Sequence, residues 1–416
     1  MTHLLGQTWG IVFMVIGLLV SVGLHEAGHM FFAKRFGVPV PEFAIGFGPR
    51  LWKRTVGETT YSLRAVPLGG FVRIPGMFPP ARETTATTDR RGRLTLAEEA
   101  RRQSMEEMPP GTEGRPFHCL PARRKVVVML AGPAMNLLLS VALTVGALVG
   151  IGVSEPTTTV AEVVPTVTTS TGEVPSPAAQ AGILPGDVVT GVDGMDVQSW
   201  SQVVEHMRSS AGKEVSLVLQ RQGQPVQVTL TVAASTEGYG MVGIVSEIGQ
   251  HSASPAQVGE AVWGMATGTA SAVIGLPMGV WNVIVSVFTE APRDRTGVIS
   301  VVGVGRIAGE VTDSGTQRGG EGILQSFQVL LLLLASLNMA LCVFNLIPLP
   351  PLDGGHVMGA LYEGGRRMLA RARRRPDPGP ADTARLMPLT YATGAALVAM
   401  SVILVVADII KPITLG

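Results

Sequence analysis

Residues 25 to 29 read His-Glu-Ala-Gly-His and stand inside a long apolar run. Two histidines four apart on a helix project from one face, close enough to share a metal ion. The glutamate between them can reach a water beside that ion and take its proton. Zinc hydrolases of peptides use this pattern, with three protein ligands and one open position. In a membrane span it puts a reaction that consumes water where water is scarce. Ionisable residues are costly there and point to function. His25 and His29 are therefore candidate metal ligands, and Glu26 is a candidate general base.

A third ligand has to arrive from another segment at similar depth. Residues 345–356 read Asn-Leu-Ile-Pro-Leu-Pro-Pro-Leu-Asp-Gly-Gly-His, at the end of a second apolar run. Pro348, Pro350 and Pro351 cannot continue a helix, so the chain breaks within or near the membrane. Irregular backbone is tolerated there when it lines a wet cavity. Asp353 is the acidic residue such a break presents, and His356 is its rival as ligand. A plain turn at the membrane exit is the bland reading of Asp353-Gly354-Gly355.

These residues need a membrane-embedded scaffold, and the composition supplies one. Of the 416 residues 46% are hydrophobic and 15% charged, against about 25% charged in ordinary soluble domains. The net charge of +1 gives no global field for nucleic acid. Cys119 and Cys342 lie far apart without metal-ligand spacing, so neither a disulfide nor a cysteine site is expected.

Four segments, roughly 9–33, 126–153, 326–347 and 387–410, are long and apolar enough to span a bilayer. The first has no basic leader or small-residue cleavage site before His25, so it reads as a span rather than a signal peptide. Residues 34–125 hold 17 Lys/Arg and 360–386 hold seven, whereas 155–325 hold seven against 16 acidic residues. The positive-inside rule makes the first two stretches cytoplasmic and puts the middle stretch and both termini outside the inner or plasma membrane. His25 then lies about 24 Å along its helix from Trp9, in the inner half of a core about 30 Å thick. Residues 261–289 are uncharged and long enough for a fifth span. A crossing there would turn Arg366 to Arg375 outward. The expectation is two short helices on the outer surface, broken at Gly275, Pro277 and Gly279.

The expected architecture is a multi-span α-helical membrane protein with four transmembrane helices, a membrane-associated β-hairpin and an extracytoplasmic α+β domain. Residues 1–75 carry the first span and a hairpin over 59–74 that turns at Leu68-Gly69-Gly70. An unpaired edge of that hairpin offers donors and acceptors to an extended peptide. Residues 76–125 form a flexible cytoplasmic insertion, with a helix between Leu94 and Met108. The second span follows over 126–153. Residues 157–246 are rich in Val, Gly and Pro and read as strands, and 255–325 as surface helices and linker. The third span and the Asp353 loop occupy 326–360. A basic loop over 361–386 sits against anionic lipid, and 387–416 hold the last span.

The chain resembles the site-2 protease family of intramembrane zinc metalloproteases. His25-Glu26-Ala27-Gly28-His29 and the Asn345 to Gly355 stretch carry the resemblance. Phe47-Gly48-Pro49, Pro67-Leu68-Gly69-Gly70-Phe71 and Ala131-Gly132-Pro133-Ala134-Met135-Asn136 add to it. The resemblance implies that His25, His29 and Asp353 bind Zn2+, that Glu26 is the general base, and that Asn345 helps hold the substrate backbone. It also implies a membrane-reentrant hairpin whose Gly69 and Gly70 meet the substrate. Asn136 is left without a settled role. The stretch from Ser176 to Val189, followed by Val192-Asp193-Gly194, resembles a single bacterial PDZ domain acting as a size filter or tether. The implied substrates are single-span proteins such as anti-sigma factors, already trimmed by a site-1 protease. A scaffold with a vestigial metal site and a metal transporter are the rival classes. The intact ligand set argues against the first, and the single cluster against the second.

Overall fold

The computed structural model describes residues 2–81, 86–112, 114–170, 172–289, 298–317 and 320–413. The chain divides into two compact units, one of Met1–Ile151 with Ser254–Gly416 and one of Gly152–Ala253. In the first unit α1 runs Thr2–Arg35, followed by strands β1 (Glu42–Val56) and β2 (Thr59–Val72), and then α2 (Leu96–Glu106) and α3 (Ala122–Val145). The last turns of α3 widen into a π-helix to Ile151. Among the described residues, five helical stretches, Gln7–Arg35, Ala122–Ile151, Pro255–Phe288, Gly322–Asn345 and Thr383–Ile410, are long and apolar enough to cross a membrane. A helix satisfies its own backbone, which an apolar solvent demands.

The second unit is an antiparallel β module with small helices, built around one hydrophobic core. Its strands and short helices run β3 (Val153–Val163), β4 (Thr166–Thr169), β5 (Gly172–Pro175), α4 (Pro177–Gln180), β6 (Val188–Val192), β7 (Met195–Asp196) and α5 (Trp200–Ser209). They continue as β8 (Glu214–Arg221), β9 (Gln224–Thr231), β10 (Ala233–Ala234), β11 (Gly240–Met241) and β12 (Ile244–His251). The main sheet has the order β12-β3-β6-β8-β9, with β7 paired to β6. Alternation sets its faces. Val215, Leu217 and Leu219 of β8 all point into the core, where they meet Val203 and Met207 of α5. Each such buried side chain contributes about 1.5–3 kcal/mol.

Back in the helical unit, α6 runs Pro255–Phe288, α7 Val301–Gln317, α8 Gly320–Asn345, α9 Asp353–Ala372 and α10 Met387–Ile410. Several contacts define one end of the bundle. Gln328 of α8 donates to the carbonyl of Ala147. Ser326 donates to Val311 of α7, and the Ser300 amide donates to Asp408 of α10. The same end holds the start of α1, where Gly10 abuts Ala308 and Thr312. The other end gathers charge: Lys125 of α3 donates to Glu363 of α9 at 2.7 Å, and Arg101 of α2 to Asp382 at 2.6 Å.

Three expectations need correction. Residues 261–289 do not break into two short helices; α6 is one helix of 34 residues with Pro277 inside it. Proline removes one helical hydrogen bond, whereas unwinding several residues in apolar surroundings would strand many backbone groups. Both ends of α6 meet the same end of the bundle. Val153 pairs with His251, so the chain leaves α3 and returns to α6 at neighbouring points. At the far end of α6, Lys411 donates to the carbonyls of Ser286 and Thr289. The second correction is the hairpin, which turns at Gly57-Glu58, between β1 and β2. Leu68-Gly69-Gly70 lies within β2, where Gly69 takes φ +114 and bends the strand. The third concerns the insertion. Its helix α2 is docked by Arg101, only 4% exposed, which also donates to the Pro79 carbonyl and to Glu98. Residues 82–85 and 113 of the insertion lie outside the described residues.

Candidate metal centre

Helix α1 places His25 and His29 one turn apart, with their Nε2 atoms 3.2 Å from each other. Asp353 opens α9, and its Oδ2 lies 3.3 Å from both nitrogens. Three electron-pair donors thus face one point in a buried site, and Asp353 Oδ2 has no hydrogen-bond donor. That arrangement is repulsive unless a cation or proton sits among them. Tetrahedral ligands with bonds of about 2.0 Å stand about 3.3 Å apart. Observed separations of 3.2 and 3.3 Å fit such an ion without rearrangement.

The surroundings of the donors fix their direction. His29 Nδ1 lies 2.8 Å from the Val128 carbonyl, so it is the protonated nitrogen and Nε2 carries the lone pair. His25 Nδ1 lies 3.0 Å from Asn136 Nδ2, while Asn136 Oδ1 is buried without a partner. Keeping the Nε2 lone pair for an ion puts the proton on Nδ1, and an Nδ1–H cannot bond an amide nitrogen that also donates. Turning the amide over puts Oδ1 on the His25 Nδ1–H and leaves Nε2 of His25 free for the ion. Both imidazoles are then oriented by groups of α3, with Nε2 of each turned toward the ion site. Gly132 lets α3 approach this closely, because a Cβ there would overlap His29 Nε2. On the other side, Gly355 lets the first turn of α9 rest on the Leu349-Pro350 backbone, with a virtual Cβ 2.5 Å from Pro350 N.

Every site residue expected from the sequence reaches one cavity of about 370 Å³. Its walls include Glu26, Asn345 at the end of α8, and Gly69 and Gly70 of β2. His356, the rival ligand, lines the cavity, but among the described residues the three-donor cluster is His25, His29 and Asp353. Gly70 packs flat on α1, since a Cβ there would lie 3.5 Å from Glu26 Cγ and 2.8 Å from the Ala44 carbonyl. The segment Phe43–Ile45 has partners on both sides, Tyr61–Leu63 on one and Val72–Gly70 on the other. Residues 70–72 therefore form an outer strand with its second edge unpaired within the sheet. Sequence reasoning did not assign Asn136 to His25, and it had no means to identify the Val128 carbonyl. The Asn-containing motif at the start of the second span was the available signal.

The chain is similar to known proteins over most of its length. The model of peptidase family M50 matches residues 13–375. The zinc metalloprotease Rip1 of Mycobacterium tuberculosis is 32% identical over 98% of this chain and 98% of its own. The metalloprotease MmpA of Caulobacter vibrioides is 28% identical over 87% of this chain and 89% of its own. The zinc metalloprotease RasP of Shouchella clausii is 27% identical, with 83% and 88% covered. The PDZ domain of the SdrC-like protein of Listeria monocytogenes matches 20% of this chain and 84% of that one, at 22% identity and a TM-score of 0.17. With a match over most of its length and a relative at 32% identity end to end, the chain belongs to peptidase family M50, the site-2 protease family.

Proposed function

We propose that this membrane peptidase is a zinc metalloendopeptidase that cuts single-span proteins within their transmembrane segments. The observation that carries the reading is the convergence of His25, His29 and Asp353 beside Glu26, in a cavity walled by an open strand edge. His25, His29 and Asp353 would hold zinc, which supplies Lewis acidity for the scissile carbonyl and the attacking water. Glu26 lies in the same cavity, one residue from His25 on the same helix. It takes the proton of the attacking water and returns it to the leaving amine. The Val72 amide interacts with the Glu26 carboxylate and ties the general base to the strand. Gly69, Gly70 and the 70–72 edge, with Asn345 across the cavity, hold the substrate backbone extended. That edge matters because the peptide groups of a helical substrate are already bonded and must be unwound before attack.

The topology follows the same physics. The charge-rich end of the bundle, with Lys125, Arg101 and the basic α9, faces the cytoplasm of the inner or plasma membrane. Both ends of α6 belong to the opposite end of the bundle. Yet α6 is about 51 Å long at 1.5 Å per residue. It therefore lies along the outer surface, leaving four crossings and both termini outside. The second unit serves as an extracytoplasmic PDZ module that filters substrates by size. Anti-sigma factors pre-cut by a site-1 protease fit that arrangement.

Metal analysis of the purified protein beside digestion of a candidate single-span substrate tests the reading. Wild type should hold one zinc and release a cytoplasmic fragment. Glu26→Gln should hold zinc and release none. A Glu26→Gln protein that still cuts would refute the mechanism.

A further inference from the structure

Beneath the cavity wall, one carboxylate gathers three guanidinium groups. Glu42 has only 6% of its side chain exposed. It accepts from Arg64 Nη2 at 2.7 Å and from Arg50 Nη2 at 3.0 Å, and Arg73 Nε stands 3.3 Å from its second oxygen. Ser62 adds a longer contact at 3.4 Å, and the Arg73 amide donates to the Glu42 carbonyl. Among the described residues, the other carboxylate on the cluster is Glu107, 3.7 Å from Arg73. Burial alone would raise the pKa of Glu42, but Arg64 and Arg50 hold it below the ordinary carboxylate range. The group is thus a fixed negative charge among three positive ones.

Two of those guanidiniums also touch the wall of the active site. Arg64 Cζ lies 4.9 Å from the centre of the Phe71 ring and Arg73 Cζ 5.7 Å from it. The third, Arg50, has no such contact and is 47% exposed. On its other side Phe71 stacks on Phe47, with ring centres 6.3 Å apart. Phe71 is the middle residue of the open strand and lines the cavity with Gly70 and Val72. Removing the negative charge would leave Arg64 and Arg73 repelling each other beside Phe71, and the strand would lose its backing.

We infer that Glu42 is a positioning residue for peptide hydrolysis: through Arg64, Arg73 and Phe71 it fixes the 70–72 strand edge against the metal cavity, so that an extended substrate is held in line with Glu26. The inference rests on the metalloprotease reading and deepens it. Glu42 touches neither the metal ligands nor the cavity. Its effect is confined to ligands that need the strand.

The test uses the full chain in detergent, a synthetic single-span peptide as substrate, and two hydroxamates. A peptidic hydroxamate needs both the ion and the strand edge, whereas acetohydroxamate needs the ion alone. Glu42→Gln and Arg64→Gln should each lower kcat/KM about tenfold and weaken the peptidic hydroxamate about tenfold. Zinc content and inhibition by acetohydroxamate should match wild type. Arg50→Gln should cut within about twofold of wild type, because Arg50 does not reach Phe71. Combining Glu42→Gln with Phe71→Ala should cost no more than the worse single change. Wild-type cleavage by Glu42→Gln would overturn the inference. So would equal loss of both hydroxamates together with zinc, or full multiplication of the two single losses. If Glu42→Gln fails to accumulate, Glu42→Asp and Arg64→Gln decide: a partial and a full loss support the inference, and wild-type cleavage by both overturns it. A wild-type enzyme that acetohydroxamate does not inhibit would sink the metalloprotease reading itself, a separate outcome.

Discussion

Replacing Asn136 with leucine isolates the contact that aims His25. Asn136 is 1% exposed, and leucine keeps its branching and number of heavy atoms while offering no acceptor. The His25 Nδ1–H then faces a buried apolar group. A buried donor left unpaired costs about 1–3 kcal/mol. The imidazole can escape that cost only by rotating or by moving its proton to Nε2, and either change removes the lone pair from the ion. The cost therefore appears as zinc affinity, weakened about 5- to 150-fold. Asn136→Asp supplies a stronger acceptor and should restore the affinity lost in Asn136→Leu. Zinc dissociation constants from chelator competition, on protein shown to be folded by thermal unfolding, measure both. A folded Asn136→Leu protein binding zinc within about twofold of wild type would refute the amide assignment. So would an Asn136→Asp protein that binds more weakly than Asn136→Leu.

Asp353→Asn should abolish stoichiometric zinc binding, whereas His356→Asn should retain it; metal analysis of the two purified variants distinguishes ligand from wall. Glu363 is 2% exposed and also accepts from the Ala381 amide, so Glu363→Gln leaves Lys125 buried without its counter-charge. It should destabilise the protein by about 3–5 kcal/mol, and the paired change Lys125→Met with Glu363→Met should recover most of that loss in thermal unfolding. In the second unit, Arg221 binds both oxygens of Asp187 and holds its pKa below the ordinary value. A depressed folded-state pKa gives stability that is full above the unfolded value near 3.8 and is lost as pH falls through the folded one. Urea unfolding of residues 152–253 should therefore weaken below about pH 4, and Arg221→Met should flatten that dependence. Arg101→Ala should free the insertion, detected as faster proteolysis between residues 76 and 116.

What the sequence revealed about the site followed from locality. His25, Glu26 and His29 share one helix, so their spacing alone fixes their mutual geometry. Asp353 and His356 could not be separated that way, because the proline-rich turn before them sets which one faces the histidines. Asn136 escaped assignment because its partner is 111 residues away. The hairpin was misplaced for a chemical reason. Gly69-Gly70 looks like a turn, but Gly70 serves close approach to Ala44 and Glu26, and a different glycine, Gly57, makes the turn. The insertion looked unstructured because it is poor in apolar residues. Arg101 and Asp382 hold it by charge, and hydropathy does not register charge pairing.

A protease made only of helices would face a difficulty that the strand resolves. Backbone groups in the interior of a membrane helix are already bonded to their own helix, so the side of a helix has little to offer a substrate that has just been unwound. Only an open edge carries free donors and acceptors, and in apolar surroundings such an edge is itself costly. It persists here because the strand is backed on the far side. Phe43–Ile45 satisfy one edge of residues 70–72, and Gly70 seats the strand on α1. Charge around Glu42 holds the Phe71 ring from below. The edge left over lines the cavity that holds His25, His29 and Asp353, so under the proposed function the energetic penalty of an unpaired strand falls where an incoming extended peptide would relieve it.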